Sequence, residues 1–168
     1  IEGVKDLVSY AALANYLTQM SRSGMAGSQV VAVKIDRIET IFARSTADEF
    51  LYALTDAADT ITEGFSPYPH MLAYAGNGVF IVVSYKPTME ASAELETGIQ
   101  YALDELEMQY DNGDPLDVEI SIGNPIRPGG RLNQRVRRTF ERAISRAETR
   151  ASNKGEQHRQ PNIRLVRR

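Results

Sequence analysis

Met71–Tyr85 reads MLAYAGNGVFIVVSY, and it decides the fold. An apolar run enters, a polar stretch Ala75-Gly76-Asn77-Gly78 follows, and a second apolar run leaves. Val79 to Val83 are all apolar, the pattern of a strand covered on both faces. Gly76, Asn77 and Gly78 all tolerate positive φ, which a tight hairpin turn demands. The stretch predicts a β-hairpin in the middle of a sheet, with its turn at the rim.

The elements around the hairpin follow from periodicity. Lys5–Ser23 predicts a helix, with Leu13, Tyr16, Leu17 and Met20 on one face. Val30–Asp36, β-branched and short, predicts a strand. Ala47–Gly64 predicts a helix with Phe50, Leu51, Leu54, Ala57, Ala58 and Ile61 in one stripe, stopped at Gly64. Ser66-Pro67-Tyr68-Pro69 is a loop. Ala91–Tyr110 predicts a helix buried through Leu95, Ile99, Leu103, Leu106 and Tyr110. Asp117–Ile122 alternates as a strand does. Arg131–Asn153 predicts a long helix, and Ile163–Val166 a last short edge strand in a tail, 154–168, that is otherwise flexible. Mixed helices and strands around an antiparallel hairpin argue an α/β fold, with one mixed sheet of about five strands flanked by helices.

The hairpin and the pieces around it resemble the GGDEF family, the diguanylate cyclase domains. The family's hairpin runs Arg-Tyr-Gly-Gly-Asp/Glu-Glu-Phe. Here Tyr74 falls on its Tyr, Ala75 and Gly76 on its glycines, Asn77 on the first acid, Gly78 on the catalytic Glu and Val79 on the Phe. Glu2-Gly3-Val4-Lys5-Asp6 resembles the entry to the family's first helix. Lys34-Ile35-Asp36-Arg37-Ile38-Glu39 stands where the family has Asp-x-Asp-x-Phe-Lys. Ala47-Asp48-Glu49-Phe50-Leu51 resembles Gly-Asp-x-x-Leu, and Val118–Gly123 resembles Val-Thr-x-Ser-Ile-Gly. The resemblance runs nearly end to end and implies a palm-like sheet and a bacterial cyclic-di-GMP signalling context.

What the resemblance implies about chemistry is a loss. The family's cyclases join two GTP molecules, and carboxylates hold the Mg²⁺ ions because hard cations require oxygen ligands. Those positions fall on Lys34 and Gly78, so the chain is expected to be a degenerate, inactive domain with no metal and no cofactor. Lys34, Asp36, Gly76, Asn77 and Gly78 form the expected vestigial cleft. Lys34 and Gly76 still suit a phosphate, and Asp48 falls on the family's guanine-reading Asp, so GTP stays open as a ligand without turnover. Asp48 equally suits the first turn of a helix and Lys34 a strand end. The guanine-reading Asn falls on Phe42 or Ala43. The family's product-inhibition motif falls on Ser66 to Pro69 and is absent. A slow nucleotide hydrolase is the remaining enzymatic alternative. The chain has neither a GxxxxGK[ST] loop nor a Ser-His-Asp set, and Asp104, Glu105 and Glu107 read as solvent-side acids.

Composition bounds the rest. The chain has 168 residues, 42% hydrophobic and 24% charged, enough for one domain with a core. It is expected to be a single domain, 1–168, cut from a larger protein. It has no Cys and no apolar run of membrane-spanning length, which fits the cytoplasm and no membrane partner. His70 and His158 show no metal-ligand spacing. Net charge is −3 but segregated. Residues 127–168 hold 13 of the 19 Lys and Arg against three acids, a balance of +10. The first 126 residues hold six bases against 19 acids, a balance of −13. Arg131, Arg135, Arg138, Arg142, Arg146 and Arg150 recur at spacings of three or four, opposite a stripe of Leu132, Val136, Phe140, Ala143, Ile144, Ala147 and Ala151. That basic face, through Arg135, Arg138, Arg142 and Arg146, is either solvated or docks an acidic protein surface, in a homodimer or on a neighbouring domain such as an EAL-type phosphodiesterase. Nucleic acid is the lesser option, since interleaved aromatics are missing.

Overall fold

The computed structural model describes residues 1, 3–20, 27–85, 92–128 and 132–166, with side chains excepted at 132–134 and 157–166. In chain order the elements are β1 (Leu7–Val8), α1 (Tyr10–Gln19), β2 (Gln29–Ile35), α2 (Ile38–Arg44), α3 (Ala47–Gly64), β3 (His70–Gly76), β4 (Val79–Ser84), α4 (Ser92–Glu105), β5 (Ile120–Ile122) and α5 (Leu132–Val166). The strands form one mixed sheet in the order β1-β3-β4-β2-β5. β1 runs parallel to β3, and the other three pairs are antiparallel.

The hairpin lies at the centre, as its sequence predicts. Every residue of β4 is buried. Its alternate side chains feed two cores, one on each side of the sheet. Phe80 and Val82 join Leu72, Val33, Ile61 and Ile99 beneath α3 and α4. Val79, Ile81 and Val83 join Leu13, Leu17, Phe140 and Ala147 beneath α1 and α5. A strand so placed has no polar face, which is why the run is unbroken.

α3 has the predicted bounds. Thr46 caps it: its hydroxyl accepts from the Glu49 N–H at 3.1 Å and the Glu49 carboxylate accepts from the Thr46 N–H at 2.8 Å, a reciprocal capping box. The second Glu49 oxygen accepts from the Asp111 N–H at 2.7 Å, tying the loop after α4 to this helix end.

Five expectations need correction. The first helix does not start at Lys5: Asp6 takes a left-handed φ of 64°, β1 follows, and Ser9 caps α1. Ser21 to Ser23 lie outside the described residues. Tyr16 is 41% exposed, while Leu13, Leu17 and Met20 are buried. α2 was not expected, and Asp36-Arg37 turns directly into it with Arg37 at φ 52°. α4 ends at Glu105, leaving Leu106 49% exposed, and Tyr110 is buried from the following loop. The alternating 117–122 run yields only the three-residue β5. Ile163–Val166 is helical backbone, because α5 runs on through the expected tail to Val166. Arg131, Arg167 and Arg168 lie outside the described residues, as does Ala91.

β5 is a sheet edge, and α4 covers it with side chains. Ser92 donates to the Gly123 carbonyl at 3.0 Å, Glu96 accepts from the Ile122 N–H at 2.9 Å, and Gln100 accepts from the Ile120 N–H at 2.9 Å while donating to the Val118 carbonyl at 2.9 Å. Four helical residues rise about 6 Å and two strand residues about 6.6 Å, so Glu96 and Gln100, four apart on α4, meet the N–H groups of Ile122 and Ile120, two apart on the strand. Outward-facing groups that invite another strand are thereby occupied.

Candidate functional cleft

The end of β2 and the hairpin turn come together. Lys34 pairs with Val79 across the β2–β4 ladder, and the Ile35 N–H donates to the Gly78 carbonyl at 2.7 Å. The turn is tight: Gly76, Asn77 and Gly78 have φ of 88°, 51° and 74°. Tyr74 folds over it, its hydroxyl accepting from the Gly78 N–H at 2.9 Å. Ile38 presses on the turn from α2, so that a Cβ added at Gly78 would lie 2.8 Å from Ile38 Cβ and Cγ1. Position 78 is therefore closed to side chains twice over, by backbone conformation and by contact.

Between this turn and α5 lies a cleft of about 690 Å³, lined by Lys34, Asp36, Arg37, Asn77, Glu119 and Lys154 among others. Its ionic centre is Lys154. The ammonium donates to the Ile120 carbonyl at 2.6 Å, to Asp36 Oδ2 at 3.2 Å and to Ser121 Oγ at 3.2 Å, with Glu119 Oε1 at 3.3 Å. Ser121 in turn donates to Asp36 at 2.8 and 3.0 Å. Arg37 pairs with Glu119 Oε2 at 3.0 Å. Lys34 makes no ion pair among the described residues.

Similar solved structures identify the fold. The diguanylate cyclase SiaD from Pseudomonas aeruginosa, solved with its activator SiaC, superposes with a TM-score of 0.65 at 13% identity, over 89% of this chain and 55% of that one. The GGDEF domain of DgcB from Caulobacter crescentus, solved with c-di-GMP, gives 0.62 at 15% identity, over 86% and 87%. The FimX GGDEF domain from Pseudomonas aeruginosa gives 0.57 at 16%, over 85% and 90%. The chain has a GGDEF-like fold. No family model and no curated protein matches its sequence. The chain thus spans about half the length of the SiaD chain.

Within the GGDEF-like fold, the structure brings together most of the expected cleft. Lys34, Asp36 and Asn77 line it, whereas Gly78, whose carbonyl accepts from the Ile35 N–H, lies in the adjoining turn and is not among the lining residues. Gly76 ends β3 at the turn but does not line the cleft. Asp48 does not line it either; it is exposed in the first turn of α3 beside its cap, where a carboxylate suits the helix dipole. Phe42 is 65% exposed and stacks edge-on against Phe50. The loop Ser66–Pro69 lines a separate cavity of about 700 Å³ at the opposite end of β3. There the Tyr68 carbonyl can only accept, so His70 donates to it from Nδ1 at 2.8 Å, while its Nε2 shares a hydrogen bond with Thr62 Oγ1 at 2.8 Å.

The donors present do not fit a divalent cation. Lys34 and Gly78 offer no carboxylate, and the Asp36 and Glu119 oxygens already face an ammonium. Among the described residues no group of three or more His, Asp or Glu is arranged as metal ligands.

The basic face divides in two. Arg135 is buried, not solvated: its guanidinium donates to the Met20 carbonyl at 2.9 Å and reaches Leu17 O at 3.5 Å, closing the C-terminus of α1. Arg146 donates to the Pro125 carbonyl at 2.9 Å, and Arg150 reaches Glu96 at 2.9 Å. Arg138 and Arg142 face solvent. Helical spacing put all six arginines on one stripe, but α5 packs along the sheet so that this stripe wraps from core to solvent.

Sequence reading missed Lys154, Glu119, Ser121 and Glu96. The available signal was Ser92, Glu96 and Gln100 at fourfold spacing, flanking the apolar Leu95, Ile99 and Leu103. Burial alone raises the Glu96 carboxyl, but hydrogen bonds from Arg150 and the Ile122 N–H, with the Lys154 charge, outweigh it and hold it below its ordinary 4.5. A carboxyl depressed in the folded state contributes stability above its unfolded value and loses it as pH falls through the folded one. Thermal unfolding midpoints should therefore drop as pH falls below 4.5, and Glu96→Gln should flatten that limb. Equal acid limbs in both proteins would remove Glu96 as a cause.

Proposed function

We propose that this is a degenerate GGDEF-like domain without cyclase activity, serving as a regulatory or interaction module of a bacterial cyclic-di-GMP-type signalling protein in the cytoplasm. The observation that supports the reading is that Lys34, paired with Val79 at the edge of the hairpin turn, and Gly78 in that turn stand at the two positions where the resemblance expects metal-binding carboxylates. The domain with GTP and Mg²⁺ or Mn²⁺ should yield no cyclic di-GMP by chromatography; turnover would overturn the reading. The chain's own geometry also opposes simple repair. Gly78→Glu with Lys34→Asp should give no cyclase and should cost about 2 kcal/mol or more, from the left-handed backbone and the Ile38 contact. Denaturant unfolding of the variant checks this.

The module acts by dimerising or by packing on a neighbouring domain, of which an EAL-type phosphodiesterase is one candidate. Among the described residues Arg138 and Arg142 are solvent-facing cations of α5 suited to an acidic partner surface, whereas Arg135 and Arg146 are committed within the chain. If that face docks, association measured by sedimentation should weaken with salt and fall further in Arg138→Glu with Arg142→Glu. Association unchanged by reversal would exclude this face.

A second reading is a GTP-binding allosteric domain without turnover. It is favoured by the cleft volume and by Lys34, which lines the cleft and makes no ion pair among the described residues. Calorimetry with GTP, with and without Mg²⁺, separates the readings; a flat titration removes the second.

A further inference from the structure

We infer that Lys154 is the resident cation of this cleft, a tethered ammonium carrying in cis the positive charge that its carboxylates require. The inference goes beyond the proposed function and holds whether or not the cleft takes a nucleotide. Three ammonium protons find three acceptors from β5 and the end of β2: Ile120 O, Asp36 Oδ2 and Ser121 Oγ. Glu119 Oε1 at 3.3 Å and Glu96 Oε1 at 3.9 Å complete a shell of oxygens around one nitrogen. The lysine side chain is 13% exposed and Asp36 9%, so neither charge is left to water. A carboxylate buried to that degree is stable only when paired and hydrogen-bonded. The partner here is covalently part of α5, present at fixed position and independent of ion concentration.

The same ammonium fastens a helix. Lys154 and, one turn earlier, Arg150 bind α5 to the β5 edge and to α4. Beyond Gly155 the backbone of α5 continues for about three more turns to Val166. The cation therefore closes the cleft and fixes the direction in which this helix leaves the sheet. Lys34 lines the same cleft from β2 and makes no ion pair among the described residues, which makes it an internal reference for reactivity.

Two measurements test the inference. Lys154→Ala should lower the melting temperature by about 5 °C or more. Ethylammonium, a small primary ammonium that fits the vacated cage, should restore at least half of the loss. Tetramethylammonium at equal concentration, which has no N–H to donate, should not. Adding Asp36→Asn should abolish the rescue. A folded Lys154→Ala protein with unchanged melting, or one indifferent to the choice of cation, overturns the inference. Should the variant not fold, competitive amine labelling of the wild-type chain decides by mass spectrometry. Labelling of Lys154 requires the cluster to open, so it should be about tenfold slower than that of Lys34. Equal rates overturn the inference. Neither readout depends on GTP, so a failed GTP titration bears on the second functional reading alone.

Discussion

Phe80→Ala is expected to lower the unfolding free energy by about 3–5 kcal/mol. Phe80 is fully buried in the central strand and projects into the core beneath α3 and α4. Its ring lies 5.0 Å from that of Tyr74, at a tilt of 49°. Truncation leaves a void between a strand hydrogen-bonded on both sides and a helix held by its own cap, and neither can collapse into it freely. The loss extends to the cleft, because Tyr74 holds the Gly78 N–H and depends on Phe80 for its position. For a domain whose whole stability lies in the range of about 5–15 kcal/mol, such a loss is a large share. Urea unfolding with an unchanged m-value checks it; a loss below about 1 kcal/mol would mean that the two-sided packing of β4 is misjudged.

Gly123→Ala is the second large effect, expected at about 3 kcal/mol, at the upper end for inserting one methyl group into packed structure. The added Cβ would lie 2.7 Å from Ala147 N and 2.8 Å from Arg146 C, both backbone atoms of α5. A side chain can rotate away from such a contact, but a helix backbone cannot. Relief requires α5 to lift from β5 as a unit. That movement would also stretch the Arg150–Glu96 and Lys154–Asp36 pairs, one and two turns further along the helix. Gly123→Ala should therefore reproduce in part the consequences of losing Lys154, and hydrogen exchange should speed up across β5 and α5 before it does in β3 and β4. Uniform exchange across the sheet would refute that order.

The sequence by itself determined the central hairpin, the strand before it, the helix at 47–64 and the class of the fold. These are elements whose signal is local: an unbroken apolar strand, a turn needing positive φ, a glycine stop and a helical stripe. The ladder pairs Lys34 with Val79, the residue after Gly78, and strand pairing carries a register that residue order can express. The tertiary structure decided what each polar group does. Arg135 and Arg142 share a helical stripe, yet one closes a buried helix end and the other faces solvent. Lys154 reads as part of a basic tail but sits among oxygens contributed from 33 or more positions away. Charge and hydrogen-bond partners depend on distances between segments remote in sequence, and only packing sets those distances.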